Sequence, residues 1–114
     1  MRCTGEAWAI ARSTARLAAI RDLLEHDSVC RDIVRYFSRH TEAADTARGI
    51  AEWWIGRDVS STAEALGRLE RRGVVHSCLV QDSTAVYAYT KNPLLRETLH
   101  HWINAAPRPA AEPA

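Results

Sequence analysis

The sequence has few of the residues that mark a secreted, metal-binding or strongly charged protein. Its three cysteines, Cys3, Cys30 and Cys78, lie far apart, without the paired spacing of a disulfide framework or a zinc knuckle. The formal net charge is only +1, so overall charge favours neither nucleic acid nor a membrane as partner. Lysine occurs once, at Lys91, and every other basic residue is arginine. Any electrostatic function must therefore come from local charge.

Long apolar runs are missing too. Arginines interrupt the first segment, MRCTGEAWAIARSTARLAAIRDLL, so it has neither the core of a signal peptide nor the length of a membrane span. We therefore expect a soluble cytoplasmic protein with reduced thiols. The sequence also contains no Gly-rich phosphate loop, nucleophile elbow, paired-carboxylate motif or Cys-His constellation, so we expect neither catalytic activity nor a bound cofactor.

The chain instead has helical patterns on both sides of one β-rich segment. Apolar periodicity and capping residues predict helices over about 6–25, 28–39, 46–56, 60–72 and 92–104. The polar connection QDST joins VVHSCLV to AVYAYT, which predicts a β-hairpin. Residues 105–114 contain three prolines and little to bury, so they are predicted to form a disordered tail.

Capping residues and inward faces can be assigned within these helices. The candidate N-caps are Asp27 or Ser28, Asp45 or Thr46, Ser60 or Ser61, and Asn92 before Pro93. Gly56 and Gly73 are candidate helix ends, whereas Gly67 lies inside a helix at a cost of about 1 kcal/mol and so indicates a packing or close-approach requirement. The predicted inward residues are Val29, Ile33, Val34, Phe37, Ile50, Ala51, Trp54, Ala63, Leu66 and Leu69.

The first and last helices each carry an apolar stripe that is too apolar to leave in water. We therefore predict a homodimer built from these two helices. The predicted interface residues are Ile10, Leu17, Ile20, Leu24, Leu95, Leu99, Trp102 and Ile103.

Three consecutive segments resemble parts of a known fold. GIAEWWIG is similar to a positioning helix, SSTAEALGRLERRGVV to a recognition helix and its exit, and VYAYT to a second wing strand. Together they resemble the winged helix-turn-helix of bacterial transcription regulators such as the MarR and ArsR families. The resemblance implies a mainly α fold with a β-hairpin wing, an α+β class. It divides residues 1–104 into an N-terminal helix (1–27), a winged-helix core (28–90) and a C-terminal helix (91–104).

The resemblance implies a DNA-binding transcriptional regulator that acts as a dimer on double-stranded DNA. Residues 60–72 would lie in the major groove and residues 74–90 would form the wing. Arg68 has the chemistry to read guanine, and Arg57 is placed to meet a phosphate. Ser60 and Ser61 are alternatively helix caps, and Arg72 alternatively complements the helix dipole. The full set of expected DNA contacts is Arg57, Ser60, Ser61, Thr62, Glu64, Ala65, Arg68, Arg72 and Ser83.

The charge pattern departs from that expectation. The turn between the wing strands carries Asp82 and no basic residue, and residues 46–90 contain as many acidic as arginine residues. The arginines of the second helix, Arg31, Arg35 and Arg39, are interpreted as a solvated face beside Asp32. An alternative function is therefore a winged-helix protein interaction module without DNA binding. Trp53 and Trp54 favour it, because adjacent residues on one helix cannot both face inward.

A third alternative is a metal sensor. Glu97, His100 and His101 cluster on the last helix, and His26 precedes Cys30 by one helical turn. Each cluster is incomplete, so a site would need both of them together with His76 or Cys78 from the wing. Surface histidines and buried thiols explain the same residues without a metal, and no metal site is predicted.

Overall fold

The protein is described here by a computed structural model that covers residues 2–81 and 83–105, with the side chains of those between 14 and 104. This part of the chain forms five α-helices, one π-helix and a three-stranded antiparallel sheet of order β1-β3-β2, in agreement with the predicted α+β class. The elements are α1 (Arg2–His26), α2 (Ser28–Arg39), β1 (Ala44–Asp45), α3 (Ala47–Gly49), the π-helix (Ile50–Ile55), α4 (Val59–Arg71), β2 (Val75–Val80), β3 (Thr84–Tyr89) and α5 (Pro93–Ala105).

The helix starts follow from short polar side chains that accept backbone hydrogen bonds. The Asp27 carboxylate accepts from the Val29 and Cys30 N–H groups, each at 3.1 Å, and so begins α2. The Thr46 hydroxyl caps α3 through the Gly49 N–H at 3.0 Å. Both caps are among those predicted from the sequence.

The start of α4 differs from the prediction. Asp58, not Ser60 or Ser61, is its N-cap, because the Asp58 carboxylate accepts a hydrogen bond from the Ser61 N–H at 2.9 Å. The inward face differs as well. Thr62 and Ala65 are buried and Ala63 is exposed, whereas Leu66 and Leu69 are buried as predicted.

The predicted hairpin is present. β2 and β3 pair from Val75 opposite Tyr89 to Val80 opposite Thr84, and Ser83 in their connection adopts a left-handed conformation with φ 65°. β3 also pairs with β1, a two-residue strand that was not predicted from the sequence. At the other end of the chain, α5 extends through Ala105, and the remainder of the predicted tail, residues 106–114, lies outside the described residues.

Most of the residues predicted to form a dimer interface belong to the chain's own core. α5 packs on α2, and α1 packs on the same helix. The buried members are Ile20, Leu24, Leu95, Leu99 and Ile103. Leu17 and Trp102 are partly buried against this core, and the side chain of Ile10 lies outside the described part. The assignment of the five buried residues to an interface is wrong, because the chain already covers the apolar faces that a second copy was expected to cover.

Gly67 provides a test of the α4 packing. A Cβ at this position would meet only the Arg71 side chain, at 3.8 Å, so the close approach predicted from the sequence is absent. We expect Gly67→Ala to raise the free energy of unfolding by about 1 kcal/mol, because alanine has the higher helix propensity. Urea denaturation measures the change. The control is Gly49→Ala, which should destabilise the protein because its Cβ would collide with the Asp45 carboxylate. A loss of stability in Gly67→Ala would contradict the open packing.

Candidate functional site

Arg68, the residue expected to read bases, is bound within the protein. Its Nε and Nη2 atoms lie 3.0 and 2.7 Å from Oδ2 of Asp27, the residue whose Oδ1 caps α2. Burial alone would raise the pKa of Asp27, but the Cys30 N–H and the Arg68 guanidinium outweigh it and hold that pKa below its ordinary value. Arg68 therefore links α4 to the start of α2, and its guanidinium is not free to contact a base in the major groove of DNA.

Arg57, the expected phosphate contact, is also paired with a carboxylate. Its Nε and Nη2 atoms each lie 2.8 Å from Oδ2 of Asp32, while Arg35 contacts Oδ1 of the same side chain at 3.1 Å. Asp32 therefore holds two arginines from different parts of the chain. Meeting a phosphate would require Arg57 to give up this ion pair.

The other expected DNA contacts have mixed positions. Thr62 and Ala65 are fully buried, so their assignment to base edges is wrong. Ser60, Glu64, Arg72 and Ser83 are exposed, and Ser61 is partly buried. Asp82 lies outside the described residues. The exposed positions in the first half of α4 are therefore Ser60, Ala63 and Glu64, a small, acidic surface without a cation.

A different feature dominates the surface near α4. The π-helix that precedes it carries Trp53, which is 79% exposed, followed by Trp54, which is 51% exposed. Ile50 and Ala51 of the same element are buried, and Gly56 ends it in the left-handed conformation. The prediction that Trp54 is buried is wrong, because both tryptophans are exposed. π-Helices are rare in proteins, and those that occur are often found at functional sites.

Trp54 is held in place by its neighbours. Its ring stacks on Tyr36 of α2 with centroids 5.0 Å apart and lies 5.3 Å from the His40 ring. Its indole N–H donates to an Asp45 carboxylate oxygen at 3.3 Å. Burial and then the negative charge of Asp45 raise the pKa of Tyr36, so the phenol stays neutral. Trp54 is thus a fixed aromatic platform, beside the more exposed Trp53.

An open cavity lies beside this platform, between α2 and the π-helix. It has a volume of about 340 Å³, and we call it the α2–π cavity. Its lining residues are Asp32, Arg35, Tyr36, Arg39, His40, Trp54 and Ile55. Arg39 is exposed and has no carboxylate partner within the described part of the chain. The cavity therefore combines aromatic rings with a free cation.

The residues considered for a metal sensor are not brought together. Among residues 14–81 and 83–104, whose side chains the structure describes, no three His, Cys, Asp or Glu side chains are placed to hold a metal ion. The buried Cys30 thiol donates to the Ala65 carbonyl at 3.7 Å, and burial together with the Asp27 charge raises its pKa to about 12. His26 instead hydrogen-bonds the Asp22 carbonyl, which raises its pKa. In both cases the partner is a backbone carbonyl.

Comparison with known proteins adds no assignment. No family model, curated protein or solved structure matches the chain. In the part that the structure describes, none of the helices is both long and apolar enough to cross a bilayer.

The residues that organise this surface were not predicted from the sequence. Tyr36 on α2 and His40, the C-cap of that helix, are four residues apart, so their proximity could have been recognised from the spacing. The contributions of Asp27, Asp32 and Asp45 had no such signal, because their partners lie 41, 25 and 9 residues away in the chain.

Proposed function

We propose that the protein is a winged-helix protein–protein interaction module whose contact surface is centred on the exposed tryptophans of the π-helix. The sequence of α2, β1, the α3–π segment, α4 and the β2–β3 hairpin, with sheet order β1-β3-β2, supports the winged-helix assignment. The observation that carries the function is the exposure of Trp53 next to the fixed Trp54. Tryptophan is enriched among the residues that contribute most to binding energy at protein interfaces.

The positions of the arginines support this proposal over DNA binding. Non-specific affinity for DNA comes mainly from cations that neutralise phosphates. Arg57 and Arg68 are each paired with an aspartate, and the exposed positions at the start of α4 include Glu64 but no cation. A groove contact at this surface would therefore bring little favourable charge to the DNA.

A DNA-binding regulator is the second candidate, and one observation favours it. Arg71 and Arg72 at the end of α4 are exposed and have no carboxylate partner among the described residues. On this proposal they contact phosphates, and a homodimer supplies the affinity that one copy lacks.

The two candidates predict different salt dependence. If the protein is an interaction module, the fluorescence anisotropy of labelled random duplex DNA should not change when the protein is added at low salt. If it is a regulator, the logarithm of the association constant for DNA should fall linearly with the logarithm of the salt concentration, with a slope of several units. Such a slope, reduced by about one unit in Arg72→Ala, would overturn the interaction proposal.

A second experiment tests the interaction surface directly. Peptides selected from a random display library against the immobilised protein should lose binding to Trp53→Ala, by at least about tenfold if Trp53 is an interface anchor. Leu94→Ala is the matched control, since Leu94 is 73% exposed on α5, and it should retain binding. Selected peptides that bind Trp53→Ala as well as the parent would count against this surface.

A further inference from the structure

We propose that the α2–π cavity binds an acidic, extended segment of a partner protein, with a carboxylate on Arg39 and an adjacent apolar side chain on Trp54. This inference rests on the proposed interaction function and specifies the chemistry of the partner. The residues that line the cavity do not include Trp53, so the cavity inference and the Trp53-centred function can be tested separately.

The apolar part of the site is preformed. Trp54 is fixed from one side by the Tyr36 ring and at its indole N–H by Asp45. The Asp45 carboxylate is fixed in turn, because its Oδ1 accepts from the Thr46 N–H at 2.7 Å. Ile55 lines the same cavity. An apolar side chain can therefore bind this surface without the loss of freedom that ordering a mobile tryptophan would require.

The charged part of the site has a local excess of arginine. Arg35 and Arg57 share the single carboxylate of Asp32, which uses both of its oxygens for them. Arg39 lies one turn beyond Arg35 on the same helix and has no carboxylate partner in the described ranges. Three guanidinium groups therefore lie at or beside the cavity with two carboxylates, Asp32 and the Asp45 that binds the Trp54 N–H, which leaves an excess of one positive charge. A ligand that carries carboxylates restores the balance, and the planar guanidinium of Arg39 can bind a carboxylate through two N–H groups.

These observations favour an acidic peptide over single-stranded nucleic acid. Both could place a planar or apolar group on Trp54 and an anion on Arg39. A nucleic acid strand, however, carries a phosphate at every residue and needs a continuous basic track. Asp32 lines the cavity and Asp45 binds the Trp54 N–H, so a strand would meet repulsion beside Arg39, the cavity's one arginine without a carboxylate partner among the described residues. A peptide carries carboxylates only at its acidic residues and can have an apolar side chain between them, so one carboxylate can lie on Arg39 while the apolar side chain lies on Trp54.

The test uses three probes and the indole N–H signal of Trp54, which is assigned in ¹⁵N NMR spectra by its loss in Trp54→Phe. The probes are an acetylated peptide of sequence EELEE, the charge-reversed peptide KKLKK, and an oligothymidylate of similar length. We expect EELEE to shift the signal in a saturable manner with Kd of roughly 1 mM or below, and KKLKK to leave it unchanged.

Two charge-reversal variants locate the binding. In Arg39→Glu the affinity for EELEE should fall at least about tenfold, because the carboxylate would face a like charge. Arg71→Glu is the matched control, an exposed and equally unpaired arginine on α4, and its affinity should equal that of the parent. Unchanged circular dichroism in both variants shows that the fold is retained.

Each of the other outcomes overturns the proposal. An acidic segment at this cavity is ruled out if EELEE causes no shift, if KKLKK causes an equal shift, or if both variants lose affinity equally. A stronger shift with oligothymidylate would indicate that the cavity binds nucleic acid. If these results accompany display peptides that depend on Trp53, the cavity inference fails and the interaction function stands. If no Trp53-dependent peptides are found either, both fail.

Discussion

Replacement of Leu99 by alanine is expected to lower the free energy of unfolding by about 2–5 kcal/mol. Leu99 is fully buried in the core where α5 packs on α2, so truncation removes transfer free energy and leaves a cavity. Urea denaturation followed by circular dichroism measures the change. This loss is one of the two largest single-residue effects that we expect in the protein.

The control for this prediction is Leu94→Ala on the same helix. Because Leu94 is largely exposed, its truncation should change the unfolding free energy by less than about 0.5 kcal/mol. The loss in Leu99→Ala should also be independent of protein concentration, since Leu99 serves the core of one chain. A loss that grows on dilution would indicate that Leu99 contributes to contacts between copies.

Asp27→Ala is expected to lower the free energy of unfolding by about 2–5 kcal/mol. The substitution removes the N-cap of α2 and leaves Arg68 without its carboxylate, two effects of roughly 0.5–2 and 1.5–3 kcal/mol. The matched control is Asp58→Ala, which removes the exposed cap of α4 and no ion pair, and should cost about 1 kcal/mol. Equal losses in the two variants would show that the contact with Arg68 contributes nothing.

The same carboxylate gives an expected dependence on pH. The pKa of Asp27 is lowered in the folded protein from its ordinary value of 3.8, so the folded state favours the charged form. The resulting stabilisation is fully present above pH 3.8 and is lost as the pH falls through the lower pKa of the folded state. The parent should therefore lose more stability in acid than Asp27→Asn does. Urea midpoints at neutral and acidic pH compare the two, and parallel curves would contradict the assignment.

Two helix caps and the hairpin could be predicted from the sequence, because each depends on residues that are close together in the chain. Asp27 and Thr46 cap their helices through residues two or three positions away, and the β2–β3 hairpin follows from a short polar connection between two β-branched segments. The helix that begins at Val59 was predicted to begin one residue late, because its cap was assigned to Ser60 or Ser61 and not to Asp58.

The candidate site could not be predicted to the same extent. Arg57 and Arg68 carry the residue type that meets DNA, but their partners lie on α2 and just before it, and nothing local in the sequence indicates those contacts. β1 is defined only by its pairing with β3, since Ala44 and Asp45 have little strand propensity of their own. The exposure of one of the two adjacent tryptophans was predicted, but the exposure of both was not. Adjacency excluded burial of both tryptophans, but the π-helix that turns both outward has no recognised sequence signal.

The double use of Asp27 also affects how the molecule opens. One carboxylate oxygen completes the first turn of α2, and the other binds Arg68 from α4. Fraying of that turn therefore weakens the attachment of α4, and undocking of α4 weakens the turn. We therefore expect the two helices to open as one cooperative unit, with amide protons at the start of α2 exchanging with solvent in the same event that releases α4, which native-state hydrogen exchange measures.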